Sequence, residues 1–193
     1  MPTILTHPVV PLALALGLGR KRVSPRLLAA GAVVSILPDL DVVAFRLGIP
    51  YAAAFGHRGF SHSLLFALLV ALAGASLYRP LRSRFGRAFL FLFCATASHG
   101  VLDALTNGGL GIAFLWPWST DRFFAPVQVI EVAPLGLRRF LSARGTAVLW
   151  SELLWVWLPL LGLALAMLWL RRLRQRPKGC PLSSGAVGTD RGR

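Results

Sequence analysis

The chain has 193 residues, 55% of them apolar, and carries 21 Lys and Arg against 7 Asp and Glu. A soluble domain is about 45–50% apolar, so this composition favours a membrane protein, and the length fits one domain. The net charge of +14 is also typical of nucleic-acid binding. Here the basic residues form short clusters between apolar runs, which is the membrane pattern, so we expect no nucleic-acid partner.

Five apolar runs predict five helices that run up and down in the membrane, at 3–18, 27–37, 63–78, 88–104 and 147–170. The last is the best spanning candidate by length, since a span requires about 20 residues. Flanking glycines and snorkelling arginines could extend the shorter runs, or some of these helices are only partly inserted. We therefore predict an all-α, membrane-embedded bundle of about five helices over 1–170, followed by a basic, disordered tail over 171–193.

The first run has its basic residues after it rather than before it, so we interpret it as a retained helix and not as a signal peptide. With five helices, the segments 20–26, 79–87 and 171–193 fall on one side. They carry fifteen Lys and Arg and a single acid, whereas the other side is nearly neutral. The positive-inside rule then places the basic side in the cytoplasm.

The chemistry-bearing residues fall at the opposite end of the predicted helices. They comprise all four histidines and three of the seven acids: His7, Asp39, Asp41, His57, His62, His99 and Asp103. The histidines played no part in the charge count, so their convergence is an independent observation. His99 and Asp103 are spaced i, i+4 and share one helix face. Ionisable groups in membrane helices are costly and usually functional, so we predict a metal site at one end of the bundle.

Two further pairs lie between the helices. Asp39 and Asp41 follow Pro38 at alternate positions, so in an extended turn their side chains would point apart. One could then bind a metal while the other bridges to a second ion or holds a histidine ring. The ordinary alternative for this pair is a helix cap and turn.

His57 and His62 are five residues apart, a poor fit to one helix face. We expect His57 in a loop and His62 in the first helical turn, with Ser61 capping that helix. Taken alone, the segment could equally be a loop with two solvated histidines.

Three or more histidines with Asp carboxylates suit Zn²⁺ or another divalent ion that accepts imidazole, in one or more copies, and they do not suit a Mg²⁺ or Ca²⁺ oxygen cage. Such a cluster lowers the pKa of a bound water and clamps a phosphate or acyl oxygen. Asp39 or Asp41 would act as the base and Arg58 would bind an anionic substrate group. The alternative is a non-enzymatic integral membrane protein that binds a divalent metal for structure or transport.

Two acids have open roles. Glu131 is a solvated loop residue, a further ligand or an acid/base. Glu152, inside the last apolar run, is an interfacial charge or the partner of Arg144.

Five motifs carry a resemblance to a known family: Thr6-His7, Leu37-Pro38-Asp39-Leu40-Asp41, His57-Arg58-Gly59-Phe60-Ser61-His62-Ser63, Ser98-His99-Gly100-Val101-Leu102-Asp103-Ala104-Leu105-Thr106, and Trp116-Pro117-Trp118. They resemble the YdjM-like or YbcI-like bacterial membrane-bound metal-dependent hydrolases, which are similar at a distance to zinc-dependent phospholipase C and the P1-type nucleases. The resemblance implies a multi-pass protein of the bacterial inner membrane that hydrolyses a phosphoester. Its substrate would be a small molecule or lipid-linked, and its partner the membrane lipid. The charge count above, rather than the resemblance, predicts that the metal site lies on the non-cytoplasmic side.

Overall fold

The structure is a computed structural model that describes residues 1–134 and 136–175. In chain order its α-helices are α1 (Val9–Leu18), α2 (Pro25–Ile36), α3 (Val43–Arg46), α4 (Leu64–Ser76), α5 (Phe85–Ala104), α6 (Leu137–Phe140), α7 (Ala143–Glu152) and α8 (Leu158–Arg174). Short 3-10 turns cover Leu37–Val42 and Phe60–His62, and a π-helical turn, Leu153–Trp157, joins α7 to α8. The described part contains two isolated bridges and no strand, which confirms the all-α prediction.

The five predicted helices correspond to α1, α2, α4, α5 and the continuous stretch from α7 through α8. Within the part of the chain that the structure describes, three stretches are long and apolar enough to cross a membrane: Pro25–Arg46, Phe85–Ala104 and Ala143–Arg174. The helices α1 and α4 are apolar but have only 10 and 13 residues. The structure therefore combines three candidate spans with two short apolar helices.

Several helix boundaries differ from prediction. The chain makes turns over 4–8, so the first helix begins at Val9 rather than at residue 3. At the other end α8 continues to Arg174, so the first residues of the predicted tail are helical. The remainder of that predicted tail, from residue 176 on, lies outside the described residues.

The predicted extended turn after Pro38 is wrong, because Leu37–Val42 continues the helix as a 3-10 segment. Pro38 stands in the first turn of that segment, where a missing N–H costs nothing and a fixed φ suits the helix. With three residues per turn, positions i and i+2 still project in different directions. Asp39 and Asp41 therefore diverge as predicted, but for a different reason.

Helix packing depends on small side chains. The helix α5 packs against α2 and α4, and α1 packs against α2 and α8. The buried face of α4 is made of Ala67, Ala71 and Ala75, four residues apart, and such small residues allow close helix approach in membranes. On α2, Gly31 has no side chain and therefore leaves space for the buried ring of Phe91 on α5.

We predict that Gly31→Val destabilises the protein by about 1–3 kcal/mol, because a side chain at this position overlaps the ring of Phe91. The measurement is thermal or denaturant unfolding of purified protein in detergent. Gly162→Val is the matched control, since an added Cβ there meets nothing within 4 Å. Equal stability of the two variants would contradict this account of the α2–α5 contact.

Candidate metal centre

Four buried residues from three helix ends meet in one place. Asp39 lies in the turn after α2, His62 in the turn before α4, and His99 and Asp103 one turn apart near the end of α5. Each contributes one potential ligand atom, and these atoms all lie within 4.8 Å of one another. His99 and Asp103 are fully buried, and the other two are nearly so.

His7 lies against this group as a fifth residue. Its ring stacks on His99 with a centroid separation of 3.7 Å, and its Nε2 is 3.7 Å from Asp39 Oδ2 and 3.9 Å from Asp103 Oδ1. Neither ring nitrogen has a hydrogen-bond partner among the described residues. Burial, and then the neighbouring His99, lower the pKa of His7 to about 3. The ring is therefore neutral, the form that binds metal ions.

The tautomers of two histidines follow from their outer partners. His99 Nδ1 donates to the main-chain oxygen of Ser35 at 2.7 Å, and a carbonyl can only accept. His62 Nδ1 faces Asp41 Oδ2 at 3.2 Å, so it also carries a proton. In neutral rings, both Nε2 atoms then carry lone pairs, yet they lie 3.1 Å apart. This contact requires a positive charge between the rings, which is either a proton on His62 or a metal ion.

The pKa of His62 also indicates that a positive charge is favoured between the two rings. Burial opposes protonation of this ring, but the adjacent carboxylates of Asp103 and Asp41 raise the pKa of His62 to about 9. The carboxylates thus draw a positive charge to this point of the protein.

The two inner carboxylates lack ordinary partners. All four carboxylate oxygens of Asp39 and Asp103 are buried without a hydrogen bond from the residues that the structure describes. Their nearest histidine contacts are His99 Nε2 to Asp39 Oδ1 and His62 Nε2 to Asp103 Oδ2, each at 3.3 Å. Buried carboxylates are costly unless they are paired or coordinate a metal. The donor set and its unpaired atoms therefore fit a divalent cation.

Arg58 is buried and all three of its guanidinium nitrogens face protein groups. Nη1 donates to Gly108 O at 2.7 Å, Nη2 donates to Thr106 Oγ1 at 3.0 Å, and Nε lies 3.2 Å from Asp103 Oδ2. Arg58 therefore neutralises Asp103 and ties down the loop after α5. The predicted contact of Arg58 with an anionic substrate group is not what this geometry provides.

Asp41 and His57, both predicted as ligands, stand beside the centre. Asp41 Oδ1 contacts His57 Nδ1 at 2.5 Å, while Oδ2 accepts hydrogen bonds from Ser61 Oγ at 2.5 Å and from the Arg58 main-chain N at 3.0 Å. With His62 Nδ1 as a further donor, its oxygens are occupied. Asp41 thus holds a histidine ring, one of the two roles left open for it by sequence. A carboxylate in this position fixes the orientation of a metal-binding imidazole.

Ser61 does not cap the next helix, because its hydroxyl is used by Asp41. The cap is Ser63, whose Oγ accepts a hydrogen bond from Phe66 N at 3.0 Å. The sequence also gave no means of finding Ser35, since it acts through a main-chain carbonyl that every residue has.

The two glutamates lie outside the inner cluster. Arg144 Nη2 pairs with Glu131 at 2.8 Å on the surface, so the predicted pairing of Glu152 with Arg144 is wrong. Glu152 is fully buried and accepts hydrogen bonds from the main-chain N and Oγ1 of Thr3 and from Thr6 Oγ1. It anchors the segment that carries His7, and its only signal in sequence was an acid inside an apolar run.

These features define an all-helical membrane protein with a buried His/Asp cluster that could hold a metal ion. The chain belongs to the YdjM inner membrane protein family, whose model matches residues 1–176. It is 51% identical over 173 residues to "Inner membrane protein YbcI" of Escherichia coli (strain K12), which covers 89% of this chain and 99% of the relative.

Two further relatives are more distant. "Inner membrane protein YdjM" of Escherichia coli (strain K12) is 35% identical over 138 residues, 64% of this chain and 62% of the relative. "Uncharacterized protein YvsG" of Bacillus subtilis (strain 168) is 35% identical over 93 residues, 45% of this chain and 55% of the relative. No solved structure matches the chain. The relatives place the chain in a bacterial inner membrane family, and their names state no enzymatic activity.

We predict that Asp41→Asn weakens Zn²⁺ binding about 10–100-fold, because an amide cannot accept from all the donors that surround this carboxylate. Competition with a chromophoric chelator on purified protein measures the affinity. Asp121→Asn is the control, since Asp121 is exposed and contacts Ser119 in a loop. Unchanged affinity in a folded Asp41→Asn variant would show that Asp41 does not support the centre.

Proposed function

We propose that this chain is a membrane-bound, metal-dependent hydrolase of phosphoesters, with one or more Zn²⁺ ions in the His/Asp cluster. The observation that carries the proposal is the chemistry of the donor set. It consists of imidazole nitrogens and carboxylate oxygens with unpaired lone pairs, and no thiolate of the described residues belongs to it. Structural zinc sites are closed, usually with cysteine ligands, whereas catalytic sites use His and carboxylates and keep a position open.

The number of donors supports the same proposal. Five residues, His7, Asp39, His62, His99 and Asp103, offer ligand atoms around one point. A single tetrahedral ion uses four, so the surplus leaves room for a second ion or a free carboxylate oxygen. When bound, such an ion lowers the pKa of a coordinated water and polarises a phosphoryl oxygen.

The protein groups then have distinct roles. The Nε2 atoms of His62 and His99 and the carboxylate of Asp103 would hold the ion, and Arg58 would balance the charge of Asp103. Asp41 and the Ser35 carbonyl orient the two imidazoles. Asp39 has a carboxylate without a donor, and its free oxygen would accept the proton of the attacking water.

The substrate and its side of the membrane are part of the proposal. The centre lies at the end of the bundle opposite the basic segments 20–26 and 79–87, and the positive-inside rule places those in the cytoplasm. We therefore infer that the centre faces the non-cytoplasmic side of the bacterial inner membrane. A phosphoester that is a membrane lipid, is lipid-linked or is a small soluble molecule would reach it from there.

A second function is favoured by one observation, the almost complete burial of the five central side chains. A centre that no substrate enters would serve structure or transport of the metal in a non-enzymatic membrane protein. A transporter holds its ligands near the bilayer midplane between helices, whereas these residues lie at helix ends. That position leaves structure as the stronger form of this alternative.

Metal content and turnover separate the two functions. Purified protein should carry stoichiometric divalent metal and cleave one of a panel of phosphodiesters, phosphomonoesters and phospholipids. Asp103→Ala should lose both metal and turnover, and Asp39→Asn should slow turnover about 10²–10⁴-fold. The control Glu131→Ala should keep both. Metal without cleavage across the panel supports the structural alternative, and absence of metal in the wild type contradicts both.

The side of the membrane on which the metal centre lies can be tested by cysteine labelling. In a chain with Cys94 and Cys180 replaced by Ser, Thr120→Cys at the centre's end should react with a membrane-impermeant maleimide in spheroplasts. Lys21→Cys, in the basic segment, should react only after lysis. Both positions are exposed. The reverse pattern would place the centre in the cytoplasm.

A further inference from the structure

A basic cavity of about 640 Å³ lies between the end of α1 and the end of α8, at the other end of the bundle from the metal centre. Five basic residues line it: Arg20, Lys21, Arg22, Arg171 and Arg174. Gly19 has a φ of +80° and no side chain, which leaves room for the guanidinium of Arg171 beside it. Arg171 Nη1 donates to the main-chain oxygen of Gly17 at 3.2 Å, which fixes this group in the wall of the cavity.

No described residue neutralises the positive charges of this cavity. Its lining contains no Asp or Glu, and none of the five basic side chains forms an ion pair with a carboxylate of residues 1–134 or 136–175. Like charges held at one place repel each other, so the cavity favours an anion.

An apolar groove of about 620 Å³ adjoins the basic cavity. It lies between α1, α2 and α8, and its lining is apolar apart from Arg20 and the indole of Trp157. Arg20 lines both spaces, so the groove leads from the membrane interior to the basic cavity. From Val9 to the end of α1 at Leu18 the groove covers about 14 Å at 1.5 Å per residue, and beyond the helix it reaches Arg20. That is roughly half of the 30 Å hydrocarbon core, the length of one leaflet's acyl chain.

We propose that the joined groove and cavity bind one anionic glycerophospholipid. The acyl chain packs against α1, α2 and α8, and the phosphate lies among the five basic side chains. Basic pockets between membrane helices bind anionic head groups in this way. A free phosphate would use the cavity alone, so the continuous apolar groove favours a lipid. The site is at the opposite end of the bundle from the metal centre, so this lipid is a bound ligand and not the hydrolysed substrate.

Lipid binding to the full chain in detergent tests the proposal, with phosphatidylglycerol and phosphatidylcholine as probes and native mass spectrometry as readout. Arg20→Gln with Arg22→Gln should weaken phosphatidylglycerol binding about tenfold or more and leave phosphatidylcholine unchanged. The matched control is Arg82→Gln with Arg84→Gln, which removes the same charge from exposed positions on the same side. An equal loss of phosphatidylglycerol binding in the two double variants would mean that the lipid is attracted only by the overall charge of the protein. That result would overturn the proposal.

A third variant separates lipid from free phosphate. Ala13 lines the apolar groove, and Ala13→Phe fills it without changing any charge. It should lose phosphatidylglycerol binding at least about tenfold while inorganic phosphate still binds. Circular dichroism and the unfolding temperature establish that each variant is folded. If Ala13→Phe binds phosphatidylglycerol as the wild type does, the groove holds no acyl chain and the lipid proposal fails.

Discussion

Two buried carboxylates, on Asp39 and Asp103, set the main physical constraint on this protein. Their oxygens are buried without hydrogen-bond donors from the described residues, and a single arginine, Arg58, faces one of them. A buried charge without compensation costs several kcal/mol, so this arrangement persists only with a cation beside it. The lone pairs of His62 and His99 converge on the same point. The rest of the end of the bundle serves to hold these groups in place.

The two ends of the bundle are built differently. The main apolar cluster, with Leu27, Phe91 and Leu92 at its centre, lies toward the basic ends of α2, α4 and α5. At the other end the helix termini give way to 3-10 turns and loops whose polar groups bind one another. Glu152 extends this network to the segment before α1, where it holds Thr3 and Thr6 next to His7. Packing thus stabilises one end, and charge and hydrogen bonding organise the other.

The helices, and the end of the bundle at which the polar residues meet, could be predicted from the sequence. Apolar runs and their charged flanks determine which helix ends lie together. The convergence of His7, Asp39, His62, His99 and Asp103 followed from counting helices. Counting helices could not predict which polar residues form the central cluster and which ones support it from outside. Asp41 and His57 have the same side-chain chemistry as the five central residues, and only the three-dimensional contacts show that Asp41 lies behind His62. The sequence predicts Arg58 as a substrate contact, because its burial against Asp103 has no signature in the sequence.

The central claim is that the cluster holds a metal ion through imidazole and carboxylate groups. X-ray absorption spectroscopy at the zinc edge, on protein purified without chelator and reloaded with Zn²⁺, tests this claim most directly. The account predicts a first shell of nitrogen and oxygen only, at about 2.0–2.2 Å, with the scattering pattern of two or three imidazoles. Failure to retain stoichiometric metal after reloading, or a shell that contains sulfur, would contradict it.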